Sequence, residues 1–277
     1  MKISEYASVT SFTEDNILLL DGNQGTKKIL VTDAILAMLH LTGVENHRRI
    51  FRGKNLGDVV TSAQKVAIQN GTFEDLWLGD YWQIGGINWR IADFDYWYNR
   101  GDTPLLSHHL VIVPETTLGN AKMNDTSTTA GGYVGSKMYT ANMAPAKSTI
   151  QTAFGESILT HREYLINTVT SGYPSSGAWT DSEIDLMNEP MVYGSYVYTP
   201  ASDGTNIVKR YTNSQNQLAL FAVAPKFINQ TSAGQRIGYW LRDVASDQRF
   251  ARVTDYGPVT DTAASLEYPI RPVFAIG

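Results

Sequence analysis

Apolar positions along the chain fall into short runs separated by polar turns, with strand-like and helix-like spacing mixed throughout. Near the N-terminus an apolar run, Ile17 to Leu20, precedes the turn "DGNQG" and a second run, Lys28 to Val31. Thr32 or Asp33 then stands as the N-cap of an apolar helix, Ala34 to Leu41. Two short strands and one helix cannot cover their own apolar faces, so residues 1–41 read as a module that packs on a partner.

Residues 42–70 read as a connector. It holds the polar turn "GVENHRR" and a helix from Val59 to Gln69, with Asn70-Gly71 as its C-terminal stop. Beyond it, "YWQI" and "INWRIADF" flank Gly85-Gly86, which predicts a tight β-hairpin. "HHLVIVPE" predicts a buried strand. "SKMYTANMAPAKSTIQTAF" predicts an amphipathic helix that Pro145 kinks or divides. "TSGYPSSGAWTDS" reads as a loop. At the C-terminus, alternation around Phe250 to Val253, the turn "DYGP" and a last run "IRPVFAIG" predict two strands separated by a polar loop. No repeat or linker divides residues 71–277, so they read as one α+β domain.

Composition narrows the function classes. Charged residues are only 18 % of the chain, the net charge is −5, and no Lys/Arg run exceeds two residues. A nucleic-acid groove needs clustered cations, so that class is disfavoured. The chain has no cysteine, so neither a disulfide framework nor a thiolate metal site is available. No apolar run reaches the length of a membrane span, and "MKISEYASVTSF" is polar where a signal peptide would be apolar. The surface, rich in Ser, Thr, Asn and Gly, fits an extracellular or particle-borne protein made in a host cytoplasm.

Motifs for chemistry are weak. Adjacent His108 and His109 on a strand would point to opposite faces and could not chelate one metal. His161 reads as a structural histidine. The acidic clusters at 93–95, 123–126 and 181–185 match no calcium loop, and "NEP" at 188–190 lacks the companion residues of a calcium-dependent sugar site. GxSxG, P-loop and GxGxxG patterns are absent. No metal or cofactor is expected.

Two resemblances add to this reading. "KISEYASVTSFTEDNILLLDGNQGTKKILVTDAI" is similar to the N-terminal segment of tailed-phage structural proteins. The C-terminal series Trp240-Leu241-Arg242, Phe250-Ala251-Arg252-Val253, Gly257 and Arg271-Pro272-Val273-Phe274 resembles a domain family of gut-bacterial and phage proteins related to the C-type-lectin-like fold. "GTFEDLWLGDYW", "HHLVIVP", "GGYVGSKMY" and "LTHREYL" also look like phage virion proteins carrying that domain. The resemblance implies a C-type-lectin-like C-terminal domain in which loops sit on a fixed aromatic and Arg framework. Trp240 would pack beneath the loops, while Arg242 and Arg271 would bind backbone carbonyls or Asp243. It implies a surface fibre or receptor-binding protein of the virion, a homotrimer, whose partners are other virion proteins and a host cell-surface glycan or protein. The alternative is a capsid decoration or tail-assembly protein that binds only virion proteins; a depolymerase ranks last. The expected contact residues are Tyr173, Trp179, Tyr196, Tyr198, Tyr256 and Tyr268, in the segments 171–182, 196–206 and 255–268.

Overall fold

Gly85 and Gly86 both adopt positive φ, 61° and 78°, the backbone that a two-residue hairpin loop needs and that a side chain would strain. The computed structural model, which describes residues 17–20, 27–30, 44–199 and 216–277, places this hairpin at the edge of the main sheet. Elements follow in chain order. β1 (Ile17–Leu20) and β2 (Lys27–Leu30) form an antiparallel pair with Ile17 opposite Leu30. They lie in the unit Met1–Asn46, and the helix expected over 34–41 falls outside the described residues.

The second unit, His47–Gly277, is α+β. Its helix Ser62–Gln69 starts later than expected because Thr61 is the N-cap. Thr61 and Gln64 each bond the other's backbone N–H, forming a capping box. β3 (Tyr81–Ile84) and β4 (Ile87–Phe94) form the glycine hairpin, followed by β5 (Leu110–Pro114) and the short β6 (Asn120–Lys122). The stretch around Pro145 divides into a π-helical turn, Met138–Asn142, and an α-helix, Ala144–Phe154, with Pro145 in its first turn where no N–H is required. β7 (His161–Thr170) and β8 (Tyr173–Ser182) form a long hairpin, then come β9 (Ile184–Leu186) and the helices Glu189–Tyr193 and Ala219–Val223. β10 (Tyr239–Val244), β11 (Arg249–Val253), β12 (Val259–Ala263), β13 (Glu267–Pro269) and β14 (Pro272–Ile276) complete the chain.

The main sheet has the order β3-β4-β5-β14-β9, antiparallel throughout. Its last-formed strand in sequence, β14, lies between β5 and β9, with Phe274 opposite both Ile112 and Ile184. Both β5 and β14 are buried at every residue, which explains their unbroken apolar runs. Trp89 meets Phe154 and Phe274 edge-on at ring separations of 5.4 and 5.9 Å, tying the helix Ala144–Phe154 to this sheet. A second, three-stranded sheet runs β10-β11-β12, and β6 pairs with β13.

Four sequence expectations are corrected. Residues 47–70 are not a connector but part of the second unit. The His47 ring stacks on Trp77 at 4.4 Å, and Arg48 and Arg52 pair with the buried carboxylates of Asp93 and Asp80. The stretch read as a loop at 171–182 is mostly the strand β8. Neither face of that hairpin is fully buried, so it carries no apolar alternation to betray it. The polar segment 255–268 likewise contains β12 and the start of β13. His108 and His109 precede β5 rather than lie on it; His109 is buried and His108 half-buried.

Candidate functional site

The tip of the β7–β8 hairpin, the segment 197–199 and the β10–β11 turn close around an open cleft of about 630 Å³. Among the described residues it is lined by Ser171, Gly172, Tyr173, Tyr198, Thr199, Ala245, Ser246 and Asp247. A smaller hollow of about 340 Å³ shares Ser171, Gly172 and Asp247 and continues to Ser127–Ala130. The hairpin tip needs positive φ at Ser171 and Gly172, 52° and 80°. A Cβ on Gly172 would come within 3.3 Å of the Asp247 backbone nitrogen, so glycine lets the two turns approach.

Each wall is fixed from beneath. The β10–β11 turn is held by Thr129, whose N–H donates to the Asp247 carbonyl at 2.9 Å and whose hydroxyl donates to that of Ser246 at 2.7 Å. The segment 197–199 is held by Glu189, a fully buried carboxylate that accepts the N–H groups of Val197, Tyr198 and Thr199 at 2.6, 2.9 and 3.1 Å. Asn188 accepts the Met191 N–H at 2.9 Å as the helix N-cap. "NEP" thus serves the backbone, and Glu189 has its oxygens committed. Asp243 accepts the Glu189 N–H at 2.6 Å, and burial, with the Glu189 charge, pushes its carboxyl up to about 7.

The expected contact residues separate into groups. Tyr173 and Tyr198 meet in the cleft, 60 % and 50 % exposed. The Asp261 carboxylate beside the Tyr198 hydroxyl, together with burial, raises that phenol above its ordinary range, and Asp261 also pairs with Arg249 at 3.0 Å. Tyr196 is half-buried next to this segment, and residues 200–206 lie outside the described residues. Trp179 is a cross-strand partner of Tyr164 on the hairpin, edge-on at 5.6 Å. Tyr256, 77 % exposed, sits on the turn after β11. The cleft borders the other end of that strand, roughly 17 Å away at 3.4 Å per residue. Tyr268 is half-buried, packed edge-on against Trp240 at 5.4 Å with the Arg252 guanidinium 4.3 Å from its ring centre. The expectation that 255–268 gathers with the other two segments holds in part: Asp261 reaches Tyr198 and Ala264 donates to the Gln248 carbonyl, whereas the turn carrying Tyr256 is at the far end of the small sheet. Sequence reading missed Thr129, Glu189, Thr199, Ser246 and Asp247. Only the polar turn "ASDQ" between two apolar runs offered a signal.

The framework residues are internal. Trp240 is fully buried, and its indole N–H donates to the Ala121 carbonyl at 2.9 Å. Arg271 is fully buried and donates to the carbonyls of Pro114, Phe227 and Ile228 at 2.9, 2.8 and 3.1 Å, with Tyr239 and Phe221 beside its guanidinium. Arg242 pairs with Glu163 at 3.1 Å and reaches the Leu186 carbonyl at 3.4 Å. The acidic clusters are likewise engaged: Asp93 with Arg48, Asp95 with His108, Asp125 with Lys137, Asp181 with Arg162, and Asp185 with Tyr133 and Ser182. Among the described residues no group of three or more His, Asp or Glu is placed to hold a metal ion.

His161 is buried against Trp97 at a ring separation of 3.8 Å, and its Nδ1 has no partner. Burial, the neighbouring His109 and the Arg242 charge lower it to about 3. The folded pKa lies below the ordinary 6.5, so the unfolded chain binds the proton between those values. The contribution of neutral His161 is complete above 6.5 and is lost as pH falls towards 3. We expect His161→Phe, which keeps the stacking, to gain stability relative to the wild type by about 1.4 kcal/mol per pH unit between 6 and 4. Denaturant unfolding at several pH values checks this; a constant difference would contradict it.

No protein-family model, curated protein or solved structure matches the chain. No helix among the described residues is long and apolar enough to cross a membrane.

Proposed function

We propose that this chain is a tailed-phage virion protein exposed on the particle, a fibre or receptor-binding component with a lectin-like C-terminal domain that recognises the host cell surface. The observation that carries this reading is the cleft, where two exposed tyrosines stand over a polar floor whose backbone is pinned by buried Glu189 and Thr129. Exposed aromatics with small polar residues supply contact area and adaptable hydrogen bonds at low entropic cost. The lectin-like reading is supported by the buried Trp240 and Arg271 framework and by the C-terminal strand lying inside the main sheet. A recognition role is favoured over hydrolysis because, among the described residues, Asp247 is the single carboxylate lining the cleft, whereas glycosidic cleavage uses two flanking the bond.

In this reading the protein is a homotrimer held partly through residues 1–41, since a pair of four-residue strands such as β1 and β2 is marginal alone. The full-length chain is expected to sediment as a trimer at micromolar concentration and to bind host cells saturably. A trimer that binds no cell surface would instead indicate a decoration or tail-assembly protein. A stable monomer would contradict the assembly role of the N-terminal segment.

A further inference from the structure

We infer that Asp243 and Glu189 form a proton-operated latch on the segment 197–199, which stays closed on the cleft wall while Asp243 is protonated and opens more often once it ionises. The latch stands on its own geometry; its consequence for binding rests on the cleft being the recognition site. The first observation is a chain of hydrogen bonds through one residue. The fully buried Glu189 carboxylate accepts the N–H groups of Val197, Tyr198 and Thr199 at 2.6, 2.9 and 3.1 Å, and its own backbone N–H donates to the Asp243 carboxylate at 2.6 Å. The cleft wall is thereby tied to β10 through Glu189.

The second observation is that two carboxylates meet there. Glu189, on the helix bonded to β10, disfavours a charge on Asp243, and Arg242, its neighbour on β10, favours one. The Arg242 guanidinium is committed elsewhere: it pairs with Glu163 of β7 at 3.1 Å and lies in the field of Asp185 of β9. On β11, Phe250 faces Val244 and Arg252 faces Trp240, with the Arg252 guanidinium turned to Thr262 and the Tyr268 ring. Burial pushes up the phenol of Tyr193, on the same helix as Glu189, and lowers His161, beside Arg242, to about 3, so both stay neutral near pH 7. Two like charges close together in a partly desolvated place are hard to ionise at once.

The direction follows from where the proton is held. Burial and the Glu189 charge raise Asp243 from 3.8 to about 7 in the closed arrangement. Once the segment opens and the Glu189 side chain turns to water, that repulsion falls and Asp243 returns towards its ordinary value. A group whose pKa is raised in the closed state holds its proton more tightly there, so protonation favours closure. This stabilisation is complete below the open-state pKa and is lost as pH rises through about 7. The opening equilibrium therefore grows by up to about tenfold per pH unit across that window and levels off above it.

The test is amide hydrogen exchange of the full-length protein from about pH 5 to about pH 8.5, corrected for the intrinsic exchange rate at each pH, with host-cell binding measured over the same range. Protection of the Val197, Tyr198 and Thr199 amides is expected to fall by at least about tenfold across the range, while amides of the buried strands β5 and β14 keep theirs. Asp243→Asn keeps the shape and an acceptor for the Glu189 N–H but cannot ionise, and is expected to show level protection. Glu189→Gln, which removes the other charge, is expected to be less protected at every pH and also level. The histidines titrate in the wild type and in both variants alike, so the difference between the proteins reads the latch. Wild-type protection that is level, that falls equally in both variants, or that falls in step with β5 and β14 overturns the inference. Cell binding is expected to weaken as pH rises for the wild type, and to do so less for Asp243→Asn. If protection follows the latch while wild type and Asp243→Asn lose cell binding equally, or neither loses it, the latch stands and the recognition reading of the cleft falls.

Discussion

Trp240→Ala is expected to destabilise the second unit by about 3–5 kcal/mol, the range for truncating a fully buried large aromatic. The indole fills space between β10 and the β6–β13 pair, with Tyr268 edge-on at 5.4 Å. Its removal leaves a cavity and also strips the Ala121 carbonyl of its donor. Trp240→Phe separates the two effects, because it restores most of the volume but not the hydrogen bond. Chemical denaturation measures both. A shift below about 1 kcal/mol for Trp240→Ala, close to the range of surface substitutions, would mean that the side chain is not held as described.

Glu163→Ala is expected to cost a comparable amount, about 3–5 kcal/mol, because it breaks a buried ion pair from one side. Glu163 is buried and uses both oxygens, accepting the Trp97 indole N–H at 2.9 Å and an Arg242 N–H at 3.1 Å. Without it, the buried Arg242 guanidinium loses its ion-pair partner and the Trp97 indole N–H its acceptor. Burial alone would depress the Arg242 pKa; the charges of Glu163, Asp185 and Asp243 hold it above its ordinary value. The double variant Glu163→Leu/Arg242→Leu removes the charge as well as the pairing and is expected to recover much of the loss. If the two single variants and the double variant are strictly additive in unfolding free energy, the pair does not act as a unit.

These two sites also show how far the sequence could be read. Trp240, Arg242 and Arg271 were legible as framework because aromatics and guanidinium groups between apolar runs suit the pinning of irregular backbone. The partner of Arg242 was not legible. Asp243 is its neighbour in sequence, but successive strand residues point to opposite faces, and the pairing carboxylate comes from Glu163, 79 residues away. The Gly85-Gly86 hairpin, the buried β5 and the capped helix at 62–69 were legible because each follows from local backbone chemistry or an unbroken apolar run. β8 and β12 were not, because "YPSSGAWTDS" and "VTDTA" are small and polar and are specified by register with β7 and β11 rather than by their own alternation.

The cleft was half legible for the same reason. Its tyrosines stand out as aromatics among turn residues, so Tyr173 and Tyr198 could be named. Which tyrosines share a surface depends on Thr129 reaching Ser246 across 117 residues and on Glu189 gathering three amides at once. No spacing rule in the sequence encodes that convergence. Tyr256 shows the cost: it is more exposed than either cleft tyrosine, yet it lies at the wrong end of β11.

The central claim, that recognition resides in the cleft at the β7–β8 tip, is tested most directly by host-cell binding of two variants of the full-length chain. Tyr173→Ala/Tyr198→Ala removes the two exposed rings of the cleft's described lining, and Tyr256→Ala removes the most exposed tyrosine elsewhere among the described residues. With thermal unfolding unchanged in both, the double variant is expected to lose binding by at least about a hundredfold, corresponding to ~2.8 kcal/mol at 1.4 kcal/mol per factor of ten. Tyr256→Ala is expected to bind like the wild type. Undiminished binding by the double variant, or loss of binding on removing Tyr256, would contradict that claim.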